Sequence, residues 1–263
     1  MNRKVIVALD VSSREEALQL LEQLRDLAGM FKVGSQLFMS AGPGIIQEII
    51  GKGGNVFLDL KFHDIPNTVT QAAVEAAKLG VSMMTVHAAG GRVMMETVAK
   101  ELAQNFGDRR PQVVAVTVLT SLDTRALFEM GLEHPLDEQV QKLALLAQQS
   151  GIDGVVCSPR EIQFVRKVVN PQFKIVSPGI RLPGQSLSDQ QRVAAATEFG
   201  RQLDSAILRR GLTIENLFRI AARVELANKI VPHHVTVVMV LPHPPAHVDH
   251  PPPDRARRCL QMW

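Results

Sequence analysis

Short β-branched apolar runs alternate with longer amphipathic stretches along most of the chain. This pattern predicts parallel strands joined by helices. The first run is Lys4 to Leu9, followed by cap candidates Ser12 and Ser13 and a helical stretch from Arg14 to Leu27. Phe31 to Val33 is a second strand, and Gly42-Pro43 opens a helix through Ile50. Asn55 to Lys61 is a third strand, with a helix from Asn67 to Leu79. Val81 to Val86 and its helix Gly90 to Phe106 follow, then Gln112 to Leu119 and a helix from Asp137 to Gln149. Gly154 to Cys157 is a sixth strand, Phe173 to Val176 a seventh, and Ser205 to Leu208 a weak eighth. Eight such units predict an α/β fold closed as a (β/α)8 TIM barrel. The rival is an open doubly wound sheet. It usually carries a glycine-rich turn after its first strand, and Leu9-Asp10-Val11-Ser12-Ser13 has none.

The third strand holds the strongest chemical signal. Residues two apart on a strand share a face, so Phe57, Asp59 and Lys61 point one way and Val56, Leu58 and Leu60 the other. The apolar trio packs under helices, while the other face presents a carboxylate and an ammonium to the barrel interior. Asp64 follows just past the strand, and Pro66 can open the next helix at its first turn. Buried charges must compensate one another, so Asp59, Lys61 and Asp64 are expected close together. Polar residues also mark the ends of other strands: Asp10, Lys32, His87, Thr120, Ser121 and the run Ser177 to Arg181. Singly, each has a structural explanation, such as a turn residue or a hydrogen-bonded core histidine. Together they form a polar ring on the rim where barrel enzymes carry their active sites.

Composition narrows the classes. The 263 residues suffice for one large domain, and a net charge of +3 with scattered basic residues gives nucleic-acid binding little support. The chain has no Tyr and one Trp, so stacking platforms for bases are scarce. Two cysteines, Cys157 and Cys259, make no disulfide framework and suit a reducing cytoplasm. The N-terminus runs straight into the first strand, so no signal peptide is expected. No apolar run reaches the ~20 residues that span a bilayer, so no membrane association is expected.

The run Asp59-Leu60-Lys61-Phe62-His63-Asp64-Ile65-Pro66-Asn67-Thr68 resembles the signature of the orotidine 5′-phosphate decarboxylase family, of the bacterial type. Companion motifs stand in the family's order. They are Val7 to Asp10, Phe31 to Gly34, Val86 to Gly91, Val118 to Ser121, Gly154 to Ser158, Pro178 to Arg181, and Asp189-Gln190. The resemblance covers roughly residues 3 to 193. It implies conversion of orotidine 5′-phosphate (OMP) to UMP, the last step of de novo pyrimidine nucleotide synthesis, with no cofactor and no metal. Lys61 is then the proton donor, Asp59 the neighbour of the substrate carboxylate, and Lys32 and Asp64 complete an alternating row of charges. The resemblance further implies a homodimer in which Asp64, Ile65 and Thr68 reach the partner's site. Asp10, Lys32 and the partner's Thr68 become ribose contacts, and Thr120 lies near the pyrimidine amide edge. Pro178 belongs to the substrate-binding set, and Arg181, Gln190, Arg209 and Arg210 hold the phosphate. The loop from Gly179 to Ser188 is a candidate lid.

The last quarter departs from the family pattern. Arg210 matches its phosphate-binding arginine, but Arg209 stands where the family has glycine, and glycine there lets backbone N–H groups approach phosphate. Residues 194 to 203 also lack the family's Thr-Pro helix start. The expected organisation is a barrel over residues 1–229 and a Pro/His-rich tail over 230–263, extended or disordered. The tail holds seven of the fifteen prolines and five of the eight histidines. The His spacing matches no metal pattern, and Val235 to Leu241 is a candidate edge strand. Two other functions stay open at this level. One is a magnesium-dependent sugar-phosphate lyase or decarboxylase of the same barrel superfamily; the other is a barrel catalytically impaired by its altered eighth strand.

Overall fold

The computed structural model describes residues 5–181, 194–195 and 236–241. Seven parallel strands lie in sequence order around a barrel: β1 (Val5–Ala8), β2 (Met30–Gly34), β3 (Val56–Phe62), β4 (Met83–His87), β5 (Gln112–Val116), β6 (Gly154–Val156) and β7 (Lys174–Arg181). A two-residue strand, β8 (Ala194–Ala195), pairs in parallel with Ile180 and Arg181 at the end of β7. The ring is closed by β9 (Thr236–Leu241), which is hydrogen-bonded to both β1 and β7 and runs antiparallel to them. The expected edge strand at Val235 to Leu241 is therefore a strand with neighbours on both sides. The expected eighth strand at Ser205 to Leu208 lies outside the described residues.

Helices cover the outside: α1 (Arg14–Leu24), α2 (Ser35–Ala41), α3 (Gly44–Gly51), α4 (Pro66–Lys78), α5 (Gly91–Phe106), α6 (Thr124–Glu129), α7 (Leu136–Gln149) and α8 (Ile162–Val168). Helix α1 starts because the Ser13 hydroxyl accepts from the Glu16 N–H, and Glu15 and Glu16 favour the positive end of the helix. Its buried Ala17, Leu20, Leu21 and Leu24 form one stripe facing the sheet. Helix α4 starts at Pro66, whose missing N–H is no loss in the first turn.

Two apolar layers hold the barrel. The outer one lies between sheet and helices and includes Val56, Leu58, Val69, Met84 and Val86. The inner one takes one residue from every strand of the ring: Ile6, Met30, Phe57, Met83, Val114, Val156, Val176 and Val238. The alternation expected in the third strand is thus observed, with Phe57 inside and Val56 and Leu58 outside. Gly154 opens β6 because a Cβ there would come within 2.5 Å of the Lys174 carbonyl oxygen on β7.

Candidate active site

The mouth of the barrel is built by strand ends. Asp10 follows β1, Lys32 comes from β2, and Asp59 and Lys61 come from β3. Lys32 Nζ lies 2.8 Å from Asp10 Oδ1 and 3.7 Å from Asp59 Oδ2. Lys61 Nζ lies 2.9 Å from the same Asp59 oxygen. The result is a row of alternating sign: Asp10, Lys32, Asp59, Lys61. Its centre is dry, with the Lys32 and Asp59 side chains 13% and 12% exposed, and its ends are wetter, with Asp10 at 43% and Lys61 at 39%. A Cβ at position 34 would sit 3.3 Å from Lys32 Nζ, so Gly34 leaves room for that ammonium.

Burial works against both central charges, and their neighbours win. Burial pulls the Lys32 ammonium down, but Asp10 and Asp59 outweigh it and hold its pKa above the ordinary lysine value. Burial pushes the Asp59 carboxyl up, but Lys32 and Lys61, with hydrogen bonds from Lys61 and Thr85, hold its pKa below the ordinary value. Both residues are therefore charged throughout the neutral range.

The row lines a cavity of about 150 Å³, together with Thr120 and Pro178. Its apolar wall includes Phe57, Val116, Val176 and Val238, so β9 contributes to the site as well as to the ring. An engineered cavity of about 150 Å³ admits benzene, so this one has room for a pyrimidine-sized ring. The cavity thus combines an apolar wall with a line of fixed charges. Such a site can bind a polar aromatic ring and stabilise charge developing at one of its atoms.

Of the residues expected at the site, the structure brings together Asp10, Lys32, Asp59, Lys61, Thr120 and Pro178. It does not bring Asp64, Ile65 or Thr68 to this cavity: all three are exposed beyond β3 or on the first turn of α4. Asp64 Oδ1 instead accepts from the Ile65 N–H at 2.6 Å. Of the three charges expected to lie together, Asp59 and Lys61 meet within the protomer, and Asp64 does not line their cavity. The Arg181 backbone ends β7, and its side chain is outside the described residues, as are Gln190, Arg209 and Arg210.

Beside the row, His63 and His87 stack with ring centroids 5.1 Å apart and planes inclined by 25°. Burial lowers the His87 pKa, and the adjacent His63 and Lys61 lower it further against the pull of Asp59, so the ring is neutral at neutral pH. Among the described residues no group of three or more His, Cys, Asp or Glu side chains is arranged to hold a metal ion. Sequence reasoning did not single out Thr85, which contacts both Asp59 and Lys61. Its one signal was a lone hydroxyl within the apolar run Met83 to Val86.

Fold and site together define a barrel enzyme whose mouth carries fixed, charge-balanced side chains. The sequence model of the Orotidine 5'-phosphate decarboxylase / HUMPS family matches residues 3–217, and the chain belongs to that family. The orotidine 5'-phosphate decarboxylase of Geobacter sulfurreducens is 50% identical over 196 residues, 74% of this chain and 82% of the relative. That of Pelobacter propionicus is 46% identical over 200 residues, 76% of this chain and 83% of the relative. The crystal structure of orotidine 5'-phosphate decarboxylase from Lactobacillus acidophilus superposes with a TM-score of 0.68 at 35% identity. It covers 84% of this chain and 99% of that one.

Proposed function

We propose that this chain is a carboxy-lyase that converts OMP to UMP. The observation that carries this reading is the Asp10–Lys32–Asp59–Lys61 row at the mouth of a barrel of this family. In the reaction the C6–carboxylate bond breaks, CO2 leaves, and the electron pair stays on C6 of the pyrimidine. Lys61 stabilises that pair as a fixed cation and then gives C6 a proton. Asp59 lies beside the departing carboxylate and, with Lys32, keeps Lys61 oriented. Repulsion between Asp59 and the substrate carboxylate is relieved as CO2 leaves, a smaller contribution than carbanion stabilisation. Thr120 faces the pyrimidine edge, and Arg181, Gln190, Arg209 and Arg210 hold the phosphate.

The working unit in this reading is a homodimer in the cytoplasm. The exposure of Asp64, Thr68 and Ile65, the last at 67%, supports a role for them across a subunit interface. No helix among the described residues is long and apolar enough to cross a membrane.

Steady-state kinetics on OMP, with and without a chelator, test the reaction. UMP formation unaffected by chelation is expected; no UMP, or activity lost and then restored by magnesium, overturns the reading. Titration with UMP and uridine tests the phosphate end, where similar affinity for both reports a lost grip. Mixing Lys61→Ala with Asp64→Ala subunits tests the shared site. Each mutant alone is expected to be inactive, and mixed dimers regain activity because one of their two sites keeps both residues. No recovery despite verified exchange refutes sharing.

A further inference from the structure

The β3–β4 ladder is irregular where the site is built. Leu58 pairs with Met84 and Phe62 with Val86, so β3 carries two residues more than β4 over the same stretch. This is a bulge, and Lys61 lies within it. Its φ of +53° is the left-handed conformation that non-glycine residues seldom adopt. A backbone so placed costs on the order of 1–3 kcal/mol and persists only where its surroundings hold it.

Thr85 is the residue of β4 opposite the bulge, and it is fully buried. Its hydroxyl accepts from the Lys61 backbone N–H at 2.8 Å and donates to Asp59 Oδ1 at 3.1 Å. The first bond satisfies an amide that the interrupted ladder leaves without its usual carbonyl partner. The second orients the carboxylate so that its other oxygen, Oδ2, faces both ammonium groups. One hydroxyl thus fixes the backbone of one proposed reacting group and the rotation of the other.

We infer that Thr85 is a positioning residue for the decarboxylation, acting on Lys61 through its backbone and on Asp59 through its carboxylate. The inference rests on the function proposed above. It goes further in assigning a role to a residue that need not touch substrate. Valine at this position keeps the shape but has no hydroxyl, whereas serine keeps the hydroxyl and loses only a methyl group.

The test is kinetics of Thr85→Val and Thr85→Ser on OMP well below their melting temperatures, with amide hydrogen exchange at Lys61 measured in parallel. Thr85→Val is expected to lower kcat by roughly 10- to 100-fold, the span of one lost hydrogen bond to a charged group, with KM changed far less. Thr85→Ser is expected to recover most of kcat. The Lys61 amide is expected to be protected in the wild type and Thr85→Ser, and unprotected in Thr85→Val, with Val86 unchanged. Wild-type kcat in Thr85→Val, or a Thr85→Ser enzyme as impaired as Thr85→Val, overturns the inference. A loss of melting temperature with kcat unchanged per folded enzyme reduces Thr85 to a structural residue and also overturns it. If Thr85→Val does not fold, Thr85→Ala replaces it with the same criteria. If the wild type makes no UMP, the proposed function fails and this inference falls with it; a wild type that makes UMP beside a Thr85→Val enzyme of equal kcat refutes the role of Thr85 alone.

Discussion

Replacing Asp59 by Asn leaves the shape of the site unchanged and removes the charge on which two lysines depend. At the effective dielectric constant of about 20 that describes protein charge pairs, the attraction across the 3.7 Å to Lys32 is about 4.5 kcal/mol. The closer contact to Lys61 is discounted because that side chain is more than a third exposed. Relief of the buried carboxylate's desolvation offsets part of the loss, and Lys32 keeps Asp10. The expected net destabilisation is about 3 kcal/mol, at the lower end of what breaking a buried pair costs. The assay is urea unfolding at fixed protein concentration, followed by circular dichroism near neutral pH. Because the centre of the row is nearly dry, the difference should persist from about 0.01 M to about 1 M salt, although the screening length falls from about 30 Å to about 3 Å. The pH dependence has a definite sign. The folded pKa of Asp59 lies below the ordinary 3.8, so its contribution is present above that value and lost as pH falls through the folded pKa. The folded pKa of Lys32 lies above 10.5, so its contribution is present below that value and lost as pH rises through the folded pKa. The wild-type advantage over Asp59→Asn should therefore be flat across the neutral range. A destabilisation under about 1 kcal/mol, or one that disappears in salt, would show the row to be an ordinary surface pair and refute the reasoning.

Val238→Pro removes a ladder donor from a strand with neighbours on both sides and is expected to cost about 3 kcal/mol or more in urea unfolding. A loss under about 1 kcal/mol would mean that β9 does not close the ring in solution. His87→Gln tests the half-buried neutral imidazole beside His63, Lys61 and Asp59. The His87 pKa is lowered on folding, so wild-type stability should fall as pH drops below the ordinary 6.5, where the unfolded chain takes up a proton that the folded ring refuses. The substitution should flatten that slope, and an unchanged slope would contradict the assignment.

The sequence was most legible where side-chain alternation carries the information. Asp59 and Lys61 face the interior and Val56 and Leu58 the helices because a strand with two chemically different faces can be packed in only one way. The bulge at Lys61 was not legible for a related reason. An insertion of two residues keeps every side chain on its own face, so periodicity passes through it unchanged, and only the register with β4 exposes it. Strand β7 was expected to stop at Val176 because Pro178 and Gly179 are poor strand formers. It continues to Arg181, and its pairing with β9 shifts register between Ser177 and Ile180 to accommodate them. Helix α2 escaped notice because its seven residues bury only Leu37, too few positions to establish a helical period. The apolar run at β9 was visible, but its place between β1 and β7 depends on contacts across the whole chain.

That place separates closing the barrel from equipping its mouth. A hydrogen-bonded ring needs a strand of suitable length with an apolar residue at the inner layer, and Val238 supplies it in either chain direction. What lies at the rim does depend on direction. Thr236, the first residue of β9, pairs with Ala8 beside the site, while Leu241, its last, pairs with Ile175 toward the opposite end. A parallel strand would instead end at the mouth, where barrels of this architecture usually take a phosphate from the loops after strands seven and eight. The charge row, Thr85 and Thr120 all come from β1 to β5 and the segments just after them, whose order and direction β9 leaves untouched. The charged side of the site therefore stands on elements that sequence and structure agree on, and the departure from the family pattern falls on residues proposed to hold the phosphate.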